Sequence, residues 1–159
     1  MSELMGAIFL AILAGICLAA YFSILQALFP TRTERTRLSV EASPARAFFM
    51  GLVNFLFFGV LSLAFFALGE RIHPILALPG LFFLILIGIA LSLGLSGVVQ
   101  ATGNRLFPEK TPLSRTVWGT ITLYLACQTP FVGWFGLLIY IGLLGIGGFI
   151  LSFFQKLEV

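Results

Sequence analysis

Four stretches without a charged side chain dominate this sequence: 4–31, 47–69, 72–104 and 116–155, of 28, 23, 33 and 40 residues. Inside a bilayer every backbone N–H and C=O must be satisfied within the protein, so such stretches cross as helices or close as a barrel. About 20 apolar residues of helix cover ~30 Å of hydrocarbon, and all four stretches exceed that. A membrane barrel would show ~10-residue segments of alternating polarity, and none is visible. Composition agrees. The chain is 60% hydrophobic and 9% charged with 18 Phe, where a soluble domain carries ~25% charged residues. An ordinary soluble enzyme domain and a disordered chain are excluded. Nine scattered Lys and Arg also make no nucleic-acid-binding face. The expected fold is all-α: a polytopic membrane helical bundle, one transmembrane domain over 1–159, with 4–5 membrane segments.

The fourth stretch is too long for one pass, since 40 residues of helix reach ~60 Å. Thr129-Pro130 and Gly133 interrupt it, and proline removes a donor and turns the preceding residue away from helical geometry. The segments are therefore placed at about 4–29, 47–69, 75–100, 116–128 (short or re-entrant) and 131–154. The first is expected to be an uncleaved helix and not a signal peptide, since Glu3 is its only early charge and positive charge follows the apolar run. The basic residues set the orientation. Arg32, Arg35, Arg37 and Arg46 lie in a loop over 30–46, and Arg105, Lys110 and Arg115 in a loop over 101–115. Both fall on one side, which should be the cytoplasm, with the N-terminus outside. These seven are the candidate lipid-facing basic residues. Glu34 and Glu41 reduce the first loop to a net +2, a weak tether for anionic lipid and not a specific site. Trp118 and Trp134 are spaced as interfacial anchors.

Leu28-Phe29-Pro30-Thr31-Arg32-Thr33 and Leu106-Phe107-Pro108-Glu109-Lys110-Thr111 share an L-F-P-x-basic-T pattern 78 residues apart. Gly51 and Gly119 follow each copy, and Pro74 and Pro130 open similar later runs. A tandem helix-loop-helix duplication is suggested, of the kind found in membrane proteins, and it favours a C-terminal hairpin over a single pass.

Small residues mark candidate helix-packing faces. Ala7, Ala11, Gly15, Ala19 and Ser23 recur every four residues in the first segment, and Gly88, Ser92 and Ser96 in the third. Such ridges let another helix approach closely. The expected partner of the first ridge is the second, with closest approach at Gly15; a second copy of the chain is the other candidate. The glycine-dense last segment should pack on more than one side. Chemistry is sparse. There is no Asp, and all six Glu lie outside the segments, so the ionisable group that ion and proton pathways use is not visible. Asn54 is expected to bond across helices, and Cys17 and Cys127 to be small buried apolar residues. His73, the sole histidine, is read as an interfacial structural residue. No catalytic residue, metal site or cofactor is indicated.

Gly103-Asn104-Arg105-Leu106-Phe107, a polar link with proline, a glycine-bearing helix, Thr129-Pro130-Phe131-Val132-Gly133-Trp134-Phe135, and Leu143-Leu144-Gly145-Ile146-Gly147-Gly148 follow in order. This C-terminal third resembles the membrane segment of bacterial bactofilin-like, polymer-forming cytoskeletal proteins. No functional residue carries across. The resemblance implies a bacterial inner-membrane protein with a scaffold-type or assembly role. The expected function is thus a non-enzymatic scaffold or accessory subunit of a membrane assembly. Its partners would be the lipid bilayer, through weak anionic-lipid contacts, and a membrane protein or a homo-oligomer. The alternative is a small channel or carrier built from the duplicated unit.

Overall fold

The computed structural model describes residues 2–154, arranged as six α-helices. They are α1 (Ser2–Leu28), α2 (Pro30–Ala42), α3 (Pro44–Arg71), α4 (Ala77–Leu106), α5 (Pro112–Cys127) and α6 (Leu138–Phe154). A 3-10 turn (Pro74–Leu76) leads into α4, and a π-helical turn (Val132–Leu137) leads into α6. Proline is the first residue of α2, α3 and α5, where its missing N–H would have had no helical partner. Met5–Leu28, Pro44–Arg71, Pro74–Leu106 and Val132–Phe154 are each long and apolar enough to cross a membrane. The protein is a helical membrane bundle.

Two expected loops need correcting. The stretch 101–115 is helical except for 107–111, because α4 runs on to Leu106 and Pro112 opens α5. The stretch 30–46, expected as a loop, contains the 13-residue α2. This helix does not hang in solvent. Thr33, Thr36, Ser39 and Val40 are buried, and the helix packs along α4 and α6. Its hydroxyls donate to carbonyls one turn back, Thr36 to Arg32 at 2.9 Å and Ser39 to Arg35 at 2.9 Å. The buried face is therefore made of methyl groups and satisfied hydroxyls, which a polar sequence disguises.

Contacts fix the direction of each helix. Gly51 meets Leu143 and Gly147, and Ala47 meets Gly147, so α3 and α6 are antiparallel. Gly94 meets Gly145 and Leu91 meets Gly142, so α4 and α6 are parallel. Gly119 meets Val99 and Gly103, while Gly103 meets Arg115, so α5 is antiparallel to α4. The last charge-free stretch is thus a hairpin. One end of the bundle gathers the end of α1, all of α2, the start of α3, the end of α4, the start of α5 and the end of α6. Arg32, Arg35, Arg37, Arg46, Arg105, Lys110 and Arg115 belong to this basic end. Glu70, Arg71 and His73 lie at the other.

Glycine holds the core. A methyl added to Gly147 would lie 1.7 Å from Ala47 O, one on Gly51 1.8 Å from Leu143 O, and one on Gly94 2.2 Å from Gly145 O. These are backbone contacts that cannot yield without separating helices. Gly59, Gly88 and Gly136 have open space instead. Gly147→Leu is expected to abolish folding or to cost more than the ~1–3 kcal/mol typical of an overpacked core. Gly88→Leu should melt like the parent in the same detergent. Similar melting of the two variants would refute this packing scheme.

Candidate functional site: a lateral groove and a basic end

Helix α5 ends at Cys127, and the chain does not fold straight back on it. Phe131 has φ 65° and ψ −63° and is the one non-glycine with positive φ among the described residues. Val132 N donates to Pro130 O at 2.9 Å across it. This is the rarer, positive-φ γ-turn, held at ~1–3 kcal/mol of backbone strain. The π turn follows, with Gly133 seated on the Ala126 and Cys127 carbonyls. The double step carries α6 sideways, so that α5 and α6 barely touch.

The gap is a groove of about 640 Å³. Its floor is Leu91, Leu95 and Val99 of α4. One wall is Thr120, Leu123, Tyr124 and Cys127 of α5, with Leu18 and Phe22 of α1. The other is α6, through Ile139, Gly142 and Ile146, with Phe55 of α3 nearby. No Asp, Glu, Lys, Arg or His lines it among the described residues. The sequence pointed to a break at Thr129-Pro130 but held no signal for the groove, which arises from the angle between two helices.

The α1 ridge packs at its middle. Gly15 and Ala19 are buried, Ala11 and Ser23 half-buried, and Ala7 exposed. Its partner is α5 and not the α4 ridge: Gly15 faces the Tyr124 ring so closely that an added methyl would lie 3.3 Å from the ring carbons. The Tyr124 hydroxyl donates to Ala11 O at 2.9 Å, and Thr116 donates to Gln26 Oε1. Of the expected α4 ridge, Gly88 is exposed, Ser92 half-buried and Ser96 fully buried with its hydroxyl unpartnered. The glycines of α4 that meet other helices are Gly80, Gly94, Gly97 and Gly103.

Other expectations are also revised. Asn54 donates to Met50 O of its own helix at 2.8 Å and not across helices. Cys17 is exposed on α1, and Cys127 is half-buried. His73 Nδ1 accepts from Ile75 N at 3.3 Å and caps the 3-10 turn, a structural use. Trp134 is exposed, and Trp118 lies 3.9 Å from Lys110 Nζ, as a ring at the membrane edge can.

The seven basic residues divide by contact. Arg37 is held by both acids of α2: Nε to Glu34 at 3.0 Å, Nη1 to Glu41 at 2.6 Å, and a further short contact to Glu34. Arg115 is turned into the fold, donating to Lys110 O at 2.7 Å, Pro108 O at 2.5 Å and Asn104 Oδ1 at 3.3 Å. Arg46 and Arg105 are exposed. Arg32 stacks 4.5 Å over the Phe153 ring of α6, and Arg35 Nε is buried without a hydrogen-bond partner. The hydrogen bond from Arg37 holds the Glu34 carboxyl below its ordinary value, against a smaller opposing effect of burial.

No protein family, curated protein or solved structure matches the chain.

Melting experiments test the α1–α5 seam and the α2 ion pair separately. Gly15→Leu should lower the melting temperature more than Leu18→Ala, because it forces α1 off Tyr124 whereas Leu18 borders open groove; Tyr124→Phe should cost about 1 kcal/mol. Equal melting of the first two would refute the seam. The ion pair is probed with acid. A carboxylate with a lowered folded-state pKa contributes stability above its unfolded value and loses it as pH falls through the folded one. Melting temperature should therefore drop from about pH 4 downward, and Glu34→Gln should flatten that drop. An unchanged acid limb in the variant would remove Glu34 from the account.

Proposed function

We propose that this chain is a non-enzymatic scaffold or accessory subunit of a membrane assembly in a bacterial inner membrane, with its N-terminus outside and its basic end in the cytoplasm. The observation that carries the reading is a division within the fold. Glycine contacts close α2, α3, α4 and α6 into one tight unit, while α1 is attached chiefly through α5 and stands across an apolar groove. A rigid body with a lightly held arm suits a protein that works by packing against others. The few side chains with chemistry to offer are engaged structurally: His73 caps a turn, Arg37 bridges two glutamates, and Arg115 braces the α4–α5 link. The clustering of basic residues at one end supports the orientation. The likeness of 97–154 to the membrane segment of bactofilin-like proteins supports the bacterial setting and assembly role.

The orientation is tested by cysteine labelling from outside intact cells, in a background without Cys17 and Cys127. Ser39 is buried and unsuitable; Thr31 and Thr111 are exposed at the basic end and Ile75 at the other. Only Ile75→Cys should label. The role is tested with purified protein in liposomes, where no selective solute flux is expected. Selective flux would establish the small channel or carrier instead.

A further inference from the structure

We propose that the groove between α5 and α6 is a specific phospholipid site, holding one acyl chain while Arg32, stacked on Phe153 two turns of α6 beyond the groove on the basic end, binds the phosphate. This goes beyond a weak basic tether, and it does not depend on the assembly role.

The lining argues for a chain and against a helix. A transmembrane helix is ~10 Å across and approaches another closely only over small residues. The floor and walls carry Leu91, Leu95, Val99, Leu123, Ile139 and Ile146. Gly94 and Gly145 are occupied by each other, Gly147 by α3, and Gly103 and Gly119 along the α4–α5 seam, which leaves Gly142 as the one glycine on the groove wall among the described residues, a single position and not a ridge. Branched aliphatic walls around a narrow gap accept a thin, flexible hydrocarbon chain.

The groove face of α6 runs on to a cation. Ile139, Ile146 and Phe153 are spaced by seven residues and so stand on one face of the helix. Arg32 covers Phe153. From Phe153, Ile146 lies ~10 Å and Ile139 ~21 Å along the axis. One leaflet of hydrocarbon is ~15 Å deep. A lipid with its phosphate at Arg32 therefore brings the distal part of a chain into the groove.

The charge over Phe153 has no acid against it among the described residues. Glu34 and Glu41 both bond Arg37. Arg32 makes no hydrogen bond or ion pair among the described residues, and Arg35, one turn further along α2, has its Nε buried and unsatisfied. A buried N–H without an acceptor, as at Arg35 Nε, is costly, and phosphate is an acceptor that guanidinium geometry fits. Gln26, at the basic-end edge of the α1–α5 wall, accepts from Thr116 through Oε1, which leaves its amide N–H groups as further donors.

Native mass spectrometry tests this after release from nanodiscs of equimolar phosphatidylethanolamine and phosphatidylglycerol. The parent should retain one phospholipid, enriched in phosphatidylglycerol. Arg32→Gln should weaken that retention about tenfold, as loss of a charge-assisted hydrogen bond does, while still melting cooperatively in lipid-free detergent, with only the small loss that the Phe153 stacking accounts for. Gly142→Phe fills the groove: a methyl added at Gly142 would meet only Leu91 Cδ1, at 3.5 Å. It should eliminate bound lipid of both headgroups, and Leu123→Trp, from the opposite wall, should do the same if Gly142→Phe folds poorly. A lipid-free parent, undiminished lipid in both groove variants, or an unaffected Arg32→Gln would overturn the site. So would loss of a co-purifying protein from Gly142→Phe with the lipid count intact, because the groove would then hold a helix. Solute flux in liposomes would overturn the assembly role and leave this result standing.

Discussion

Lipid tails are as apolar as leucine, so burying apolar surface does not hold these helices together; close approach of their backbones does. The structure depends most on α6. At 100° per residue, Gly145, Gly147 and Gly148 point in three directions. Gly145 meets α4, Gly147 meets α3 and Gly148 meets α2. One helix is thereby clasped on three sides, and the density of glycine in its sequence is explained by the number of its neighbours. The same geometry leaves a fourth face that looks onto the groove, with Ile139 exposed at one end, Gly142 between, and Ile146 buried at the other.

That open face follows from the reversal before α6. An ordinary tight hairpin would lay α6 back along α5. The γ-turn at Phe131 and the π turn after it spend backbone strain to displace it, and Gly133 makes the displacement possible by fitting onto the Ala126 and Cys127 carbonyls. Helix α5 then keeps α1 as its companion, joined by the Tyr124–Ala11 and Thr116–Gln26 hydrogen bonds. Each such bond contributes about 1 kcal/mol, much less than the backbone clasp elsewhere. The α1–α5 seam is therefore held by side-chain hydrogen bonds where the contacts of α6 are backbone on backbone, and the groove lies between the two.

What could be read from the sequence depended on whether the signal was local. Gaps between charges located the long helices, and Thr129-Pro130 located the break, because both follow from properties of a few adjacent residues. The paired L-F-P motifs end α1 and α4 alike: Phe29 has φ −126° and ψ 55°, Phe107 φ −133° and ψ 56°. The chain then diverges, into α2 after the first and a short link after the second, and of the glycines six residues after Pro74 and Pro130, Gly80 packs on α3 while Gly136 is open. Helix α2 was illegible because its buried face is Thr33, Thr36 and Ser39, which count as polar in any periodicity. The partner of the α1 ridge was illegible for a different reason. Four-residue spacing says that a face is smooth but not which helix lies on it, and here a tyrosine ring, not a second ridge, fills the contact.

The charge at the basic end is likewise a matter of geometry more than of count. By composition, the two glutamates of the 30–46 stretch dilute its four arginines to a net +2. In the folded chain, Glu34, Arg37 and Glu41 form one stripe along α2 and satisfy each other. Arg32 is two residues before Glu34 and so stands ~200° away around the helix, against Phe153 of α6. The acids cannot reach it. Sorting along a 13-residue helix thus turns a weakly basic segment into a compensated stripe and a guanidinium without an acid against it among the described residues, and places the latter over exposed Phe153, two turns of α6 beyond the groove.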